Sequence, residues 1–201
     1  MTDKKRAPRK TKKALTKDIF QSAINILNKE GYENVTFSNV ARLAGTGRPV
    51  LYRRWKTPFD LLLDAVDYFS EDEISDYSII DFSDKTLRDN LISVLSHFNA
   101  SPQFMRAFLF ELGQDTPSVK KYSNQMRQQN LSLMDQLLSQ AQLSGELQYT
   151  VTEDIKLLPF NLLQYQAMMT PNDMTPQFVT DFAVRIVDRI VLPAILAQQK
   201  K

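Results

Sequence analysis

Apolar residues recur at helical spacing along most of this chain. Over residues 14–30, Ile19, Ala23, Ile26 and Leu27 fall on one face. A shorter segment follows Thr36, with Val40, Ala41, Leu43 and Ala44 apolar, and another spans 48–55. Phe59, Leu62, Leu63 and Val66 mark a helix from Pro58. Beyond an acidic, Ser-rich connection at 70–84, the pattern predicts helices near 85–99, 102–112, 117–143, 153–169 and 176–198. Pro159 and Pro193 fall inside the last two. Proline removes an amide donor and crowds the preceding turn, so each is expected to kink or shorten its helix. No alternating β-branched run competes, and the expected class is all-α.

The punctuation agrees. Thr57-Pro58, Ser101-Pro102, Thr116-Pro117, Thr170-Pro171 and Thr175-Pro176 each place a hydroxyl capping residue before a proline, the signature of a helix start. Gly31, Gly113 and Gly145 each close a periodic stretch, where a left-handed residue is favoured.

The remaining glycines, Gly45 and Gly47, lie in AGTGRPVLYRRWKTP. This stretch joins TFSNVARLA, capped by Thr36, to RPVLYRRW. Two short helices separated by about three residues containing glycine form a helix-turn-helix. Gly45 is expected at positive φ, and Gly47 precedes the second helix. Pro49 suits that helix's first turn. The pair lacks the third glycine of a dinucleotide site and the Gly-Lys-Ser/Thr of a phosphate loop, so its role is structural.

Charge divides the chain at the same place. Residues 1–58 hold 14 Lys+Arg against 4 Asp+Glu, whereas residues 59–201 hold 11 against 19. A basic quarter joined to an acidic remainder fits a polyanion-binding module on a body that stays off the polyanion. The absence of cysteine excludes thiol chemistry, and a single histidine, His97, leaves little for a zinc site or a catalytic triad. No nucleophile–base or metal constellation is recognisable, so neither enzyme activity, metal nor cofactor is expected. No apolar run approaches a membrane span, and the basic start lacks the apolar region of a secretory signal. The expected compartment is the cytoplasm.

Within the second short helix, Leu51 and Trp55 share a face that packs on the preceding helices. Pro49 and Arg53 project from the other side, with Val50 and Tyr52 on the flanks. Arg48 stands at the exposed N-terminal end, which a recognition helix aims at base edges. Arginine binds guanine in bidentate fashion, and Val50 suits a thymine methyl. Tyr52, Arg53 and Lys56 suit phosphates, which position without specifying. Gly47 and Pro49 complete this DNA-facing edge. Arg54 lies closer to the buried flank, either for an internal ion pair or for DNA.

Residues 19–62 resemble the DNA-binding domain of TetR-type transcriptional regulators. The resemblance lies in Ala23, Leu27, Gly31, Thr36, VA at 40–41, AG at 44–45, LYRRW at 51–55 and the spacing from Lys56 to Leu61. It implies a homodimer with a three-helix DNA-binding head, a linking fourth helix and a helical body that binds ligand and dimerises. It also implies DNA contacts by Thr36, Thr46, Arg48, Val50, Tyr52 and Lys56. The family often has serine at the place of Gly47, Gly or Ala at Pro49, and Phe at Trp55.

Three regions are therefore expected: a basic flexible arm at 1–13, a DNA-binding domain at 14–58 with its helix-turn-helix at about 36–55, and a ligand-binding and dimerisation body at 59–201. In the body, 155–169 is apolar on most of its circumference and must bury more than one face. Residues 176–198 carry only a narrow polar stripe. These helices predict a dimer interface at Leu158, Leu162, Phe178, Phe182, Ile186 and Ile190, the alternative being that both are central in a monomer. Phe104, Phe108, Tyr122, Met126, Tyr165 and Met168 are candidate walls of a ligand pocket, with Glu111 and His97 as its polar groups. The expected function is a sequence-specific regulator, a repressor released from a palindromic operator by a small molecule. Its partners are double-stranded DNA, a second copy and an unidentified effector, with no membrane. A non-specific architectural DNA binder without effector is the other reading.

Overall fold

The structure, a computed structural model, describes residues 11–70, 81–98 and 101–199. Most of the basic arm lies outside these residues, but 11–13 do not belong to an arm. Thr11 caps the first helix, accepting a hydrogen bond from the Ala14 amide at 3.2 Å, and Lys12 and Lys13 are helical. All regular structure among the described residues is helical. The chain divides into two compact units, 1–70 and 71–201.

The first unit contains α1 (Lys12–Glu30), a short 3₁₀ turn (Tyr32–Asn34), α2 (Phe37–Ala44), α3 (Arg48–Tyr52) and α4 (Pro58–Ser70). Helix α1 turns Ile19, Phe20, Ala23, Ile26 and Leu27 inward, against Val40 and Ala41 of α2 and Phe59, Leu61, Leu62 and Ala65 of α4. The Ile, Leu, Val and Phe side chains among these each contribute about 1.5–3 kcal/mol when fully buried. The first unit thus extends through α4 rather than ending near 58, because α4 supplies a wall of its core.

The second unit contains α5 (Leu87–Ser96), α6 (Pro102–Gly113), α7 (Pro117–Leu143), α8 (Glu153–Met169), α9 (Pro176–Ile186), a π-helical turn (Val187–Val191) and α10 (Leu192–Ala197). Its core is built by Leu91 and Leu95 of α5, Met134 and Leu137 of α7, Leu163 of α8, and Ala183, Val187, Val191 and Ile195 at the C-terminal end.

Each Ser/Thr-Pro pair starts a helical segment. At Thr57 the cap is reciprocal. Its hydroxyl accepts from the Asp60 amide while the Asp60 carboxylate accepts from the Thr57 amide and hydroxyl, each at 3.0 Å. Gly113 departs from expectation: it is still helical, and Asp115 takes the positive φ of 54°. The two internal prolines differ. Helix α8 runs uninterrupted through Pro159. Pro193 follows the π turn, in which the Leu192 amide bonds back to Val187. A widened turn accommodates the missing proline amide without ending the helix. Arg88 of α5 braces this turn through a paired contact with Asp188, at 2.6 and 2.9 Å.

Candidate nucleic-acid interface

The geometry of the α2–α3 corner follows from its ends. The Thr36 hydroxyl accepts from the Asn39 amide at 3.2 Å and opens α2. The Asn39 side chain donates to the Asn34 carbonyl at 3.0 Å, tying α2 to the turn before it. At the other end Gly45 is left-handed, with φ 68° and ψ 38°. The Thr46 amide reaches back to Ala41 at 2.9 Å and the Gly45 amide to Arg42 at 3.4 Å. This double bond pattern reverses the chain and satisfies the last carbonyls of α2. Gly47 has an ordinary extended backbone, φ −89°, and a Cβ there would meet only Pro49 Cδ at 3.5 Å. The corner therefore favours glycine at 45, where the backbone is left-handed, and not at 47.

Helix α3 is pinned by its inner face. Leu51 is fully buried, and Trp55 packs edge-on against Phe20 while its ring N–H donates to Asp64 Oδ2 at 2.7 Å. This anchor turns the opposite face to solvent. Thr36, Gly47, Arg48, Pro49, Tyr52, Arg53 and Lys56 are exposed, with Thr46 and Val50 half-buried between them. The nine predicted DNA-facing residues are thus exposed or half-buried along α2 and α3, with Thr36 at the far end of α2 from the corner and Lys56 just past α3. Tyr52 is 63% exposed, yet its ring is held edge-on by Phe37 at 4.8 Å, so it stands as a fixed aromatic post. Arg48 reaches the Ser38 hydroxyl at 3.5 Å.

Arg42, Arg48, Arg53 and Lys56 carry no ion pair with any described residue. Unneutralised cations flanking a short exposed helix are the electrostatic footprint of a phosphate-backbone surface. Arg54 is different. It donates to the Thr16 hydroxyl at 2.9 Å and lies over the Trp55 ring at 4.4 Å. It joins α3 to α1 through a neutral hydroxyl and a ring, not through an ion pair.

Ser38, which the sequence pattern did not single out, is exposed beside Arg48. Its signal was its spacing, four residues before Arg42, which places both on the exposed side of α2.

In the second unit, α8 carries three stripes. Pro159, Phe160, Leu163 and Ala167 face the core. Leu157, Asn161, Gln164 and Met168 line a groove of about 340 Å³ with Phe108 and Leu112 of α6 and Ser123, Met126, Arg127 and Asn130 of α7. Leu158, Leu162, Tyr165 and Met169 lie along the third stripe; the first two are half-buried, Leu162 packing against the core of its own chain, and the last two are 62% exposed.

The pocket residues divide accordingly. Phe108, Met126 and Met168 line the groove, whereas Phe104 is buried and meets Tyr122 edge-on at 5.9 Å. Tyr165 is too exposed to be a wall. Glu111 is buried and accepts from the Thr116 hydroxyl at 2.8 Å, and it does not line the groove. His97 is exposed at the end of α5, its Nδ1 2.6 Å from the Ser93 carbonyl, and lies outside the groove. Among the interface candidates, Ile186 is 4% exposed within its own chain, so it belongs to the core rather than to a subunit contact. Phe178 and Phe182 stack at 5.9 Å beneath the Arg185 guanidinium, and Ile190 is 43% exposed. Among the described residues, no group of three His, Cys, Asp or Glu is placed to hold a metal, and no helix is long and apolar enough to cross a membrane.

Residues 19–65 match the family model of bacterial regulatory proteins of the tetR family. The chain is 44% identical over 48 residues to the HTH-type transcriptional regulator AqdR of Rhodococcus erythropolis. That stretch is 24% of this chain and 23% of the relative. Among solved structures, the transcriptional regulator FadR from Bacillus subtilis in complex with stearoyl-CoA is similar, with a TM-score of 0.64 and 18% identity. The superposition covers 85% of this chain and 96% of that one. At that identity the similarity establishes a shared all-helical fold.

Proposed function

We propose that this chain, whose residues 19–65 form a TetR-family DNA-binding head, is a ligand-responsive transcriptional regulator that grips a two-fold operator as a homodimer. The observation that carries this reading is the corner itself. A short helix anchored by Leu51 and Trp55 presents Arg48, Pro49, Tyr52 and Arg53 outward, beside cations that no carboxylate among the described residues neutralises. Arg48, at the start of α3, reads a base edge. Tyr52, Arg53 and Lys56 hold phosphates and fix the register.

The outer stripe of α8 supports dimerisation. Tyr165 and Met169 are large and exposed on a helix whose other two stripes face the core and the groove. The α6–α8 groove supports an effector site, being of the size small-molecule sites have, roughly 300–1,000 Å³. The FadR structure holds an acyl-CoA, and a related architecture here is in keeping with a ligand-bearing body. Effector binding is proposed to release the operator, making the protein a repressor. The test is selection of bound duplexes from a random pool with the full chain. A repeat with two-fold symmetry supports the reading. Recovery of unrelated sequences would assign the protein to non-specific, architectural DNA binding instead.

A further inference from the structure

The α6–α8 groove has a lining that narrows the chemistry of its ligand, given the effector-responsive reading on which this inference rests. Phe108, Leu112, Met126, Leu157 and Met168 supply its apolar part. Ser123, Asn130, Asn161 and Gln164 supply its polar part, and their side chains make no hydrogen bond with the described residues. Among the described residues the one cation in the lining, Arg127, is already paired with the Glu153 carboxylate. The neighbouring Lys156 is likewise paired, with Asp135 at 2.6 Å. The groove therefore offers three amides, a hydroxyl and an apolar wall, with no uncompensated positive charge.

We infer that this groove takes an uncharged amphiphile, with an apolar body and a neutral head that both donates and accepts hydrogen bonds, and not a carboxylate or a phosphate-bearing ester. The amide side chains match a neutral head in both polarities, since each carries a carbonyl acceptor and two N–H donors. An anion fares worse. Placing it here either draws Arg127 from Glu153 or sets a second negative charge beside that carboxylate; both side chains are partly exposed, at 44% and 63%, so the penalty is like-charge repulsion and a lost ion pair in a solvent-screened site. A CoA ester compounds the difficulty with several phosphate charges.

The experiment titrates the full chain calorimetrically with three probes sharing one tail: decanamide, decanoate and decanoyl-CoA. The expected result is that decanamide binds at least tenfold more tightly than either of the others. Asn161→Leu and Gln164→Leu are each expected to reduce that preference by about tenfold, with circular dichroism verifying the fold. Decanoate or decanoyl-CoA binding as tightly as decanamide overturns the inference, as does binding of none of the three. Binding to the selected operator is measured separately on the same preparation. A chain that holds its operator but rejects decanamide loses this inference and keeps the regulator reading. A chain that takes decanamide but selects no DNA does the reverse.

Discussion

Gly31 and Gly47 occupy comparable places at helix boundaries and have opposite requirements. Gly31 has φ 87° and ψ 168°, a region open essentially to glycine alone, and a Cβ there would meet the Glu33 carboxylate at 2.7 Å. Gly31→Ala is expected to destabilise the protein by about 1–3 kcal/mol. Gly47→Ala is expected to leave stability unchanged or raise it by about 0.4–1 kcal/mol, since its backbone suits any residue. Urea denaturation of the two variants distinguishes them, and a costly Gly47→Ala would mean the corner is tighter than its geometry indicates. Arg48 bears on recognition rather than stability. Arg48→Ala is expected to relax sequence preference at one symmetric pair of operator positions by about 1–3 kcal/mol, as loss of a bidentate guanine contact does. Titrations against single-base operator variants check this, and unchanged selectivity removes Arg48 from base readout. At this scale the sequence was largely legible, because caps, Gly45 and the Leu51–Trp55 face depend on neighbours within four residues. Arg54 was not. Its partners are the adjacent ring and a hydroxyl 38 positions earlier, and local spacing carries no trace of the latter.

Among the elements, α8 and the C-terminal helix show where periodicity stops informing. The pattern located both helices within a residue or two and indicated that α8 buries several faces. It did not say which stripe meets the core, which lines a groove and which is left outside, because periodicity reports a face and not its cover. Ile186 and Tyr165 were misplaced for that reason. The Arg88–Asp188 brace was equally hidden, joining residues 100 apart across α5 and the π turn. Arg88 holds the Asp188 carboxyl below its ordinary value of 3.8. A carboxyl depressed in the folded state stabilises at pH values above its unfolded pKa, and that contribution disappears as pH falls through the folded value. Asp188→Asn is thus expected to be less stable than wild type at pH 6, with the gap closing below about pH 4. Denaturation midpoints across that range test it; a gap independent of pH would mean that the carboxylate charge does not support the turn.

For the whole molecule, two-fold DNA recognition requires two heads, and therefore a subunit contact that leaves each body folded. Tyr165 and Met169 meet that condition by being exposed, and Ile186 does not. The Tyr165→Asp, Met169→Asp double variant is expected to remain helical and sediment as a monomer, whereas Ile186→Asp is expected to lose its fold. A double variant that stays dimeric would move the interface off the α8 stripe. The central claim, that the α2–α3 corner reads sequence, is tested most directly by one ratio. The full chain is titrated at physiological salt against its selected operator and against the same duplex with both half-sites scrambled. Specific readout predicts an affinity ratio of about 10³ or more. Equal affinity for the two duplexes would contradict it and leave a protein that holds DNA by its backbone alone.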